Sequence, residues 1–466
     1  MGTLTGMEVH MVSHPFLDSM LAAYPAGDGE DGGRLTVTGT GELPSWFDVT
    51  GLAAASIGTA GLMLARHQAM RRGSEVAATV DRRLASFWFG MTVRPSGWQM
   101  PPAWDPIAGD YRAKDGWIRL HTNAPHHRAA ALSVLGEHSE RATLEPAVAR
   151  WEARALEQAV VAAGGCAAAM CDLHVWSLHP QGAAVAKEPL VHWQQHGRHE
   201  PRRRPMVADR PLAGLKVLDL TRVLAGPVAG RFLAGYGAEV LRIDPPDWNE
   251  PGVIPEVTLG KRCARLDLKQ PEGRAVFERL LGEADVLLHG YRADALANLG
   301  FDGERLRQIN PGLIDVSLNA YGWSGPWTGR RGFDSLLQMS SGIADYGMRM
   351  SKAEKPVPLP VQALDMATGY LLAAAVLHGL NQQARTGAVS SARLSLARTA
   401  HLLAGSRRAS LGDGIVAESE ADLDPRIEET GWGPARRPKF PLAVEGAAAR
   451  WDIPARDLGW AEPAWG

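Results

Sequence analysis

Apolar positions along the chain recur in two different rhythms, and the change of rhythm falls near residue 210. No sustained period runs through residues 1–40, which read as a lead-in with a glycine-rich turn at 27–33. An Ala- and Gly-rich stretch from about Thr50 to Arg72 predicts a buried helix. Residues 111–121 alternate on either side of Asp115-Gly116 and predict a β-hairpin. Residues 125–165 are rich in Ala, Glu and Arg and read as helical, and the polar, proline-containing stretch 196–210 reads as a linker. Beyond it, short apolar runs at 215–220, 239–243, 285–288 and 313–318 alternate with helical stretches. That alternation predicts a parallel sheet covered on both faces by helices. A long helix is predicted from about Asp365 to Arg385.

The two Ala-rich helices hint at an internal repeat. Thr50-Gly51 and Thr368-Gly369 each open a helix that ends near a glycine and is followed by an apolar run. Two unrelated helices would give the same pattern, which leaves the repeat undecided.

Composition narrows the class without naming it. With 45% hydrophobic and 21% charged residues the chain is an ordinary globular one, long enough for two or three domains. A net charge of −2 gives no pull toward nucleic acid or an anionic membrane. The uncharged stretch 49–65 is short for a membrane span and reads as a core helix. Three cysteines make no disulfide framework, and the expected setting is the cytoplasm. Cys166, Cys171 and His174 lack a fourth ligand, and the AlaAlaAlaMet between the cysteines reads as helical, so no metal is expected. His126-His127 lies in a polar loop with no partner pattern.

Two places carry candidate chemistry. Gly226-Pro227 follows the first strand of the alternating region, where a helix N-terminus can hold phosphate; the glycines do not fit a nicotinamide fingerprint. Asp365 stands at the start of the long helix. It could be the helix cap, or a nucleophile kept ionised by the positive end of the helix. The residues alone favour the cap.

A family resemblance reverses that preference. The segment 211–227 (PLAGLKVLDLTRVLAGP) and then Gly237-Ala238-Glu239-Val240-Leu241-Arg242-Ile243-Asp244 resemble the opening of the family III CoA-transferases, a group that includes formyl-CoA and carnitine CoA-transferases and related 2-methylacyl-CoA racemases. The likeness continues through Gly260-Lys261-Arg262, Pro271-Glu272-Gly273, Leu299-Gly300-Phe301, Tyr321-Gly322, Gly332-Phe333-Asp334 and Asp365 with Gly369, to about residue 400. It implies an α/β fold, with a Rossmann-like parallel sheet, flanking helices and a smaller α+β domain. It implies Asp365 as nucleophile, forming an aspartyl anhydride and then an aspartyl-CoA thioester. It assigns CoA contacts to Val223, Leu224, Gly226, Pro227, Lys261, Arg262, Leu266, Tyr291 and Arg292. The implied partners are an acyl-CoA thioester and a carboxylic acid acceptor, with no permanently bound cofactor.

Departures qualify the implied site. A racemase would carry histidine where this chain has Phe333, which leaves transfer favoured over racemisation. Cations expected near CoA are replaced by Pro245 and Asn298, which keeps a non-catalytic CoA-binding subunit as an alternative. The first half resembles later parts of the family, at 111–117 and 160–192. With the Thr-Gly pairs superimposed, Phe47 falls opposite Asp365. The expected organisation is therefore fused or permuted: lead-in 1–40, degenerate half 41–195, linker 196–210, transferase domain 211–410 and extension 411–466. Family members resemble interlocked dimers, which implies a homodimer or an intramolecular pseudo-dimer. The two halves are expected to pack together, with residues 104–117 near Asp365.

Overall fold

The computed structural model describes residues 15–25, 33–291, 295–411 and 414–466. Its largest sheet has seven strands. In chain order the parallel ones are Lys216–Leu220, Glu239–Asp244, Lys261–Arg265, Val286–His289, Ile314–Asn319 and Ala388–Ser395. Their spatial order is third, second, first, fourth, fifth, sixth, the doubly wound order of dinucleotide-binding sheets. The strands expected at 215–220, 239–243, 285–288 and 313–318 are all present, and Lys261–Arg265 and Ala388–Ser395 add to them. The smaller α+β unit is a three-stranded antiparallel sheet, Gly109–Arg112, Trp117–Leu120 and Ala167–Ala169, covered by the helices Pro125–Leu135, Arg141–Val148 and Ala153–Ala162. The AlaAlaAla run read as helical is thus its third strand, paired with 118–120.

Two helices of 24 residues, Val49–Arg72 and Ala363–Thr386, pack on each other at the centre. Each is long and apolar enough to cross a membrane by composition, yet all but four residues of each are buried in the protein. Neither shows an amphipathic stripe, as suits a helix enclosed on all sides. Each ends in a left-handed glycine, Gly73 (φ 70°) and Gly387 (φ 73°), where a Cβ would be strained.

The repeat is visible in the topology. Each long helix runs into a strand, Val76–Asp81 or Ala388–Ser395, that pairs in parallel with the strand before the helix, Gly33–Thr38 or Ile314–Asn319. The strand's last residue, Asp81 or Ser395, then caps a further helix. His67 and Asn381, 314 positions apart, share a buried hydrogen bond of 2.8 Å. The same offset relates the C-cap glycines, so this bond lies where an approximate twofold would pass. At that offset Gly51, not Phe47, stands opposite Asp365, a correction of one helical turn. The reason is local: the two Thr-Gly pairs serve different contacts. Gly369 lets the helix Ala225–Gly235 approach, since a Cβ there would meet the Ala225 carbonyl at 2.4 Å. Thr50 instead accepts a hydrogen bond from the Leu43 amide at 2.9 Å.

The halves also exchange edge strands. His192–Arg198, from the first half, closes the large sheet antiparallel to Ala388–Ser395. Leu442–Val444, from the second half, closes a three-stranded sheet of Gly33–Thr38 and Val76–Asp81, antiparallel to Val76–Asp81. The expected boundaries therefore shift. Residues 33–38 of the lead-in are a sheet strand, 196–198 of the linker belong to an edge strand, and the 411–466 extension holds the other edge. A fragment covering 205–466 would lose the edge strand and the partner of its long helix. It should be insoluble or aggregated on size-exclusion chromatography, and a soluble, active monomer would refute this packing.

Candidate active site

A cavity of about 630 Å³ opens at the carboxyl ends of the parallel strands, where the strand order reverses between Lys216–Leu220 and Val286–His289. That crevice is where open α/β sheets bind ligands. Thr221, Arg222 and Val223 line it after the first strand, Trp248 after the second, Leu266 after the third and Tyr291 after the fourth. Asp365 enters from the long helix, and Pro125, His126 and His127 enter from the first half.

Asp365 is not the helix cap. It is the third residue of its helix, and the cap position, Gln362, makes no side-chain cap bond. The first-turn amides are held instead by Asp334, whose Oδ2 accepts from Leu364 N (2.8 Å) and Asp365 N (3.0 Å). Gln338 fixes the other Asp334 oxygen at 2.5 Å. With that capping done by a neighbour, the Asp365 carboxylate accepts no hydrogen bond among the described residues. It is 6% exposed and faces the cavity. Burial, then the nearby Asp334 and Glu250, push its pKa well above the usual carboxylate value. Asp334 is also raised by burial, but its three hydrogen bonds oppose that rise, so Asp365 is the one pushed further.

Val223 adopts a positive φ of 63°, costly for a β-branched residue. Its amide donates to Glu250 Oε2 at 3.1 Å, which helps hold the strained turn into the helix Ala225–Gly235. Arg222 stacks over Trp248 (4.5 Å) and Tyr291 (5.3 Å) and donates to the Tyr291 hydroxyl at 3.2 Å. Its Nε is buried without a partner. Half-buried in a cavity that also holds Lys269, Arg222 is a cation suited to an anionic ligand.

Of the residues assigned to CoA from the sequence, Val223, Leu266 and Tyr291 line the cavity with Asp365. Arg292 lies outside the described residues. Leu224, Gly226 and Pro227 are buried in the helix turn rather than lining it. The helix begins at Ala225, so Pro227 is its third residue and not its first. Gly226 is a packing glycine, since a Cβ would meet Thr221 at 2.2 Å. Lys261 requires the plainest correction. It is fully buried, 2.8 Å from Asp219 and 2.9 Å from the Pro227 carbonyl, and ties sheet to helix beyond reach of a ligand. Arg262 faces Glu239 at 3.7 Å on the edge of the sheet. Residues 104–117 line a separate cavity of about 840 Å³; the chain reaches the Asp365 cavity only after the strand Trp117–Leu120, at the start of the helix Pro125–Leu135. Sequence reasoning missed Arg222 and the His126-His127 pair. Arg222 stood inside the TRVLAGP motif, a signal that could have found it.

Fold and cavity together define a doubly wound α/β protein with a ligand crevice at its switch point and a buried, unpaired carboxylate at a helix start. Residues 212–424 match the family model described as CoA-transferase family III. An acyl-CoA transferase of Gibberella moniliformis is 32% identical over 295 residues, covering 58% of this chain and 51% of the relative. The succinate–glutarate CoA-transferase of Agrobacterium fabrum is 34% identical over 206 residues, covering 40% and 50%. A crystal structure of a CaiB/BaiF family protein from Brucella suis is 28% identical, covers 48% of this chain and 65% of that one, and has a TM-score of 0.37. The chain spans about half the length of the curated relatives it matches.

Proposed function

We propose that the protein moves CoA between an acyl-CoA thioester and a carboxylic acid, with Asp365 as the nucleophile. The observation that carries this reading is the Asp365 carboxylate itself, buried, unpaired and facing the crevice at a helix N-terminus. The carboxylate attacks the thioester carbonyl, the C–S bond breaks, and a mixed anhydride forms on Asp365. The CoA thiolate attacks the aspartyl carbonyl and releases the donor acid, leaving an aspartyl-CoA thioester. The acceptor carboxylate displaces the thiolate to give a second anhydride. The thiolate then takes the acceptor acyl group and regenerates the Asp365 carboxylate. Phe333 offers no proton to the α-carbon, which supports transfer over racemisation.

Trapping tests the covalent step. Incubation with succinyl-CoA and hydroxylamine should leave a hydroxamate on Asp365, read by peptide mass spectrometry; an unmodified Asp365 in a protein that turns over would refute the mechanism. On the same reading Arg222 contacts the CoA phosphates. Arg222→Ala should raise KM for the CoA thioester roughly 10- to 100-fold, with a smaller effect on kcat, the loss typical of one charge-assisted contact. Steady-state kinetics at fixed acid concentration check this.

A further inference from the structure

One buried side chain in the crevice has no part in the scheme above. His127 is 3% exposed, sits near the start of the 11-residue helix Pro125–Leu135, and lines the same cavity as Asp365. Both its ring nitrogens are buried without a hydrogen-bond partner. Two other buried histidines, His67 and His121, differ. His67 is bonded to Asn381, and His121 reaches Ser335 Oγ at 3.4 Å while stacking on Phe333 at 3.8 Å. The His127 ring is fixed from two sides, by Phe333 edge-on at 5.7 Å and by His126 at 4.1 Å. A fixed, buried imidazole with both nitrogens unsatisfied costs stability unless something fills the site. The element carrying it comes from the half that lacks a nucleophile.

Resting on the transfer reading, we infer that His127 donates a ring N–H hydrogen bond to the acyl oxygen of the thioester while Asp365 attacks the same carbonyl. As the carboxylate oxygen bonds to the carbonyl carbon, the carbonyl electron pair moves onto its oxygen. When the C–S bond breaks, the pair returns and the electrons of that bond leave on the CoA sulfur. His127 holds the developing oxyanion throughout and gives up no proton. Burial first, then His126 and Arg331, lower its pKa to about 3, so the ring is neutral at working pH. A neutral imidazole suits a hydrogen-bond donor and is a poor base. The first half thus supplies one half of the reaction site, and the second half supplies the other.

The test uses the full chain with succinyl-CoA and glutarate as probes. His127→Phe keeps an aromatic ring against Phe333 and removes both nitrogens. It should lower kcat roughly 10²- to 10³-fold, the loss expected for one oxyanion donor, with KM for succinyl-CoA little changed. His127→Asn and His127→Gln place an amide N–H near the Nδ1 and Nε2 positions, and one of them should recover at least about tenfold over His127→Phe. The identity of the rescuing amide reports which nitrogen donates. Wild-type kcat in a folded His127→Phe variant would overturn the inference. So would amide variants that fold but recover nothing. Solvent deuterium entering the acyl α-carbon in wild type, and not in His127→Phe, would make His127 a base and equally overturn it. If the wild type forms no Asp365 hydroxamate, the transfer reading falls and this inference with it. If the adduct forms and only the His127 variants behave as wild type, the inference alone fails.

Discussion

Asp365→Ala should abolish CoA transfer, by at least about a thousandfold as for other covalent nucleophiles, and the variant should melt at a higher temperature than the wild type. The two effects share a cause. The carboxylate is buried, accepts no hydrogen bond among the described residues, and lies in the field of Asp334 and Glu250. In the unfolded chain it titrates like any aspartate. Its folded pKa is raised, so ionised Asp365 opposes folding at neutral pH. The stability gap between variant and wild type should be full above the raised folded pKa. It should close as the pH falls through that value toward the ordinary aspartate range, where both states are protonated. The rate follows the same proton. The kcat/KM of the free wild-type enzyme should fall on acidification at a pH above the usual carboxylate range. Thermal melts across pH, beside a pH–rate profile, check both. A variant less stable than wild type at neutral pH would contradict the electrostatic account.

Glu256→Ala should cost roughly 3–5 kcal/mol of stability, the usual loss when one partner of a buried ion pair is removed. Glu256 is fully buried and bound to Arg231, and it faces Arg437 at 3.3 Å. It also accepts from the Thr92 amide and hydroxyl, each at 2.8 Å. These partners come from the first half, from the helix Ala225–Gly235 and from the segment that follows the transferase-like region. Truncation leaves two guanidinium groups, 2% and 6% exposed, without their shared charge. Burial pushes the Glu256 pKa up, but Arg231, Arg437 and Thr92 outweigh it, and the net shift is downward. Its contribution is therefore present above the ordinary glutamate pKa and lost only as the pH drops through the lower folded value. Urea denaturation of Glu256→Ala and Glu256→Gln reads the loss. Arg436→Ala, which removes the surface pair with Glu420, serves as the control that should barely register.

What could be read from the chain depended on how local each cause is. Strands 215–220 and 239–243 and the long helix around Asp365 follow from periodicity over a few residues. Lys261 was misjudged because its partner, Asp219, lies 42 residues away, and nothing near Lys261 separates an inward lysine from a ligand-facing one. His127 is not legible locally because Phe333, which its ring meets, and Asp365, which lines the same cavity, come from the opposite half of the chain. Leu442–Val444 is a three-residue strand whose only reason to extend is the open edge of Val76–Asp81. Asp365 enters as a candidate nucleophile only through resemblance to a family; its own residues point to a cap, a role that Asp334 fills.

The exchanged edge strands set a timetable for synthesis. Val76–Asp81 leaves the ribosome early, but its antiparallel neighbour Leu442–Val444 follows about 360 residues later, a wait of roughly 20–70 s at ordinary translation rates. The partner of Val49–Arg72, the helix Ala363–Thr386, arrives almost as late. For that interval the nascent chain carries a helix greasy enough to pass for a membrane span, covered only by its first-half neighbours and lacking its helical partner. Yield in cells should therefore respond to chaperone supply and to elongation rate more than the melting temperature of the finished protein would indicate.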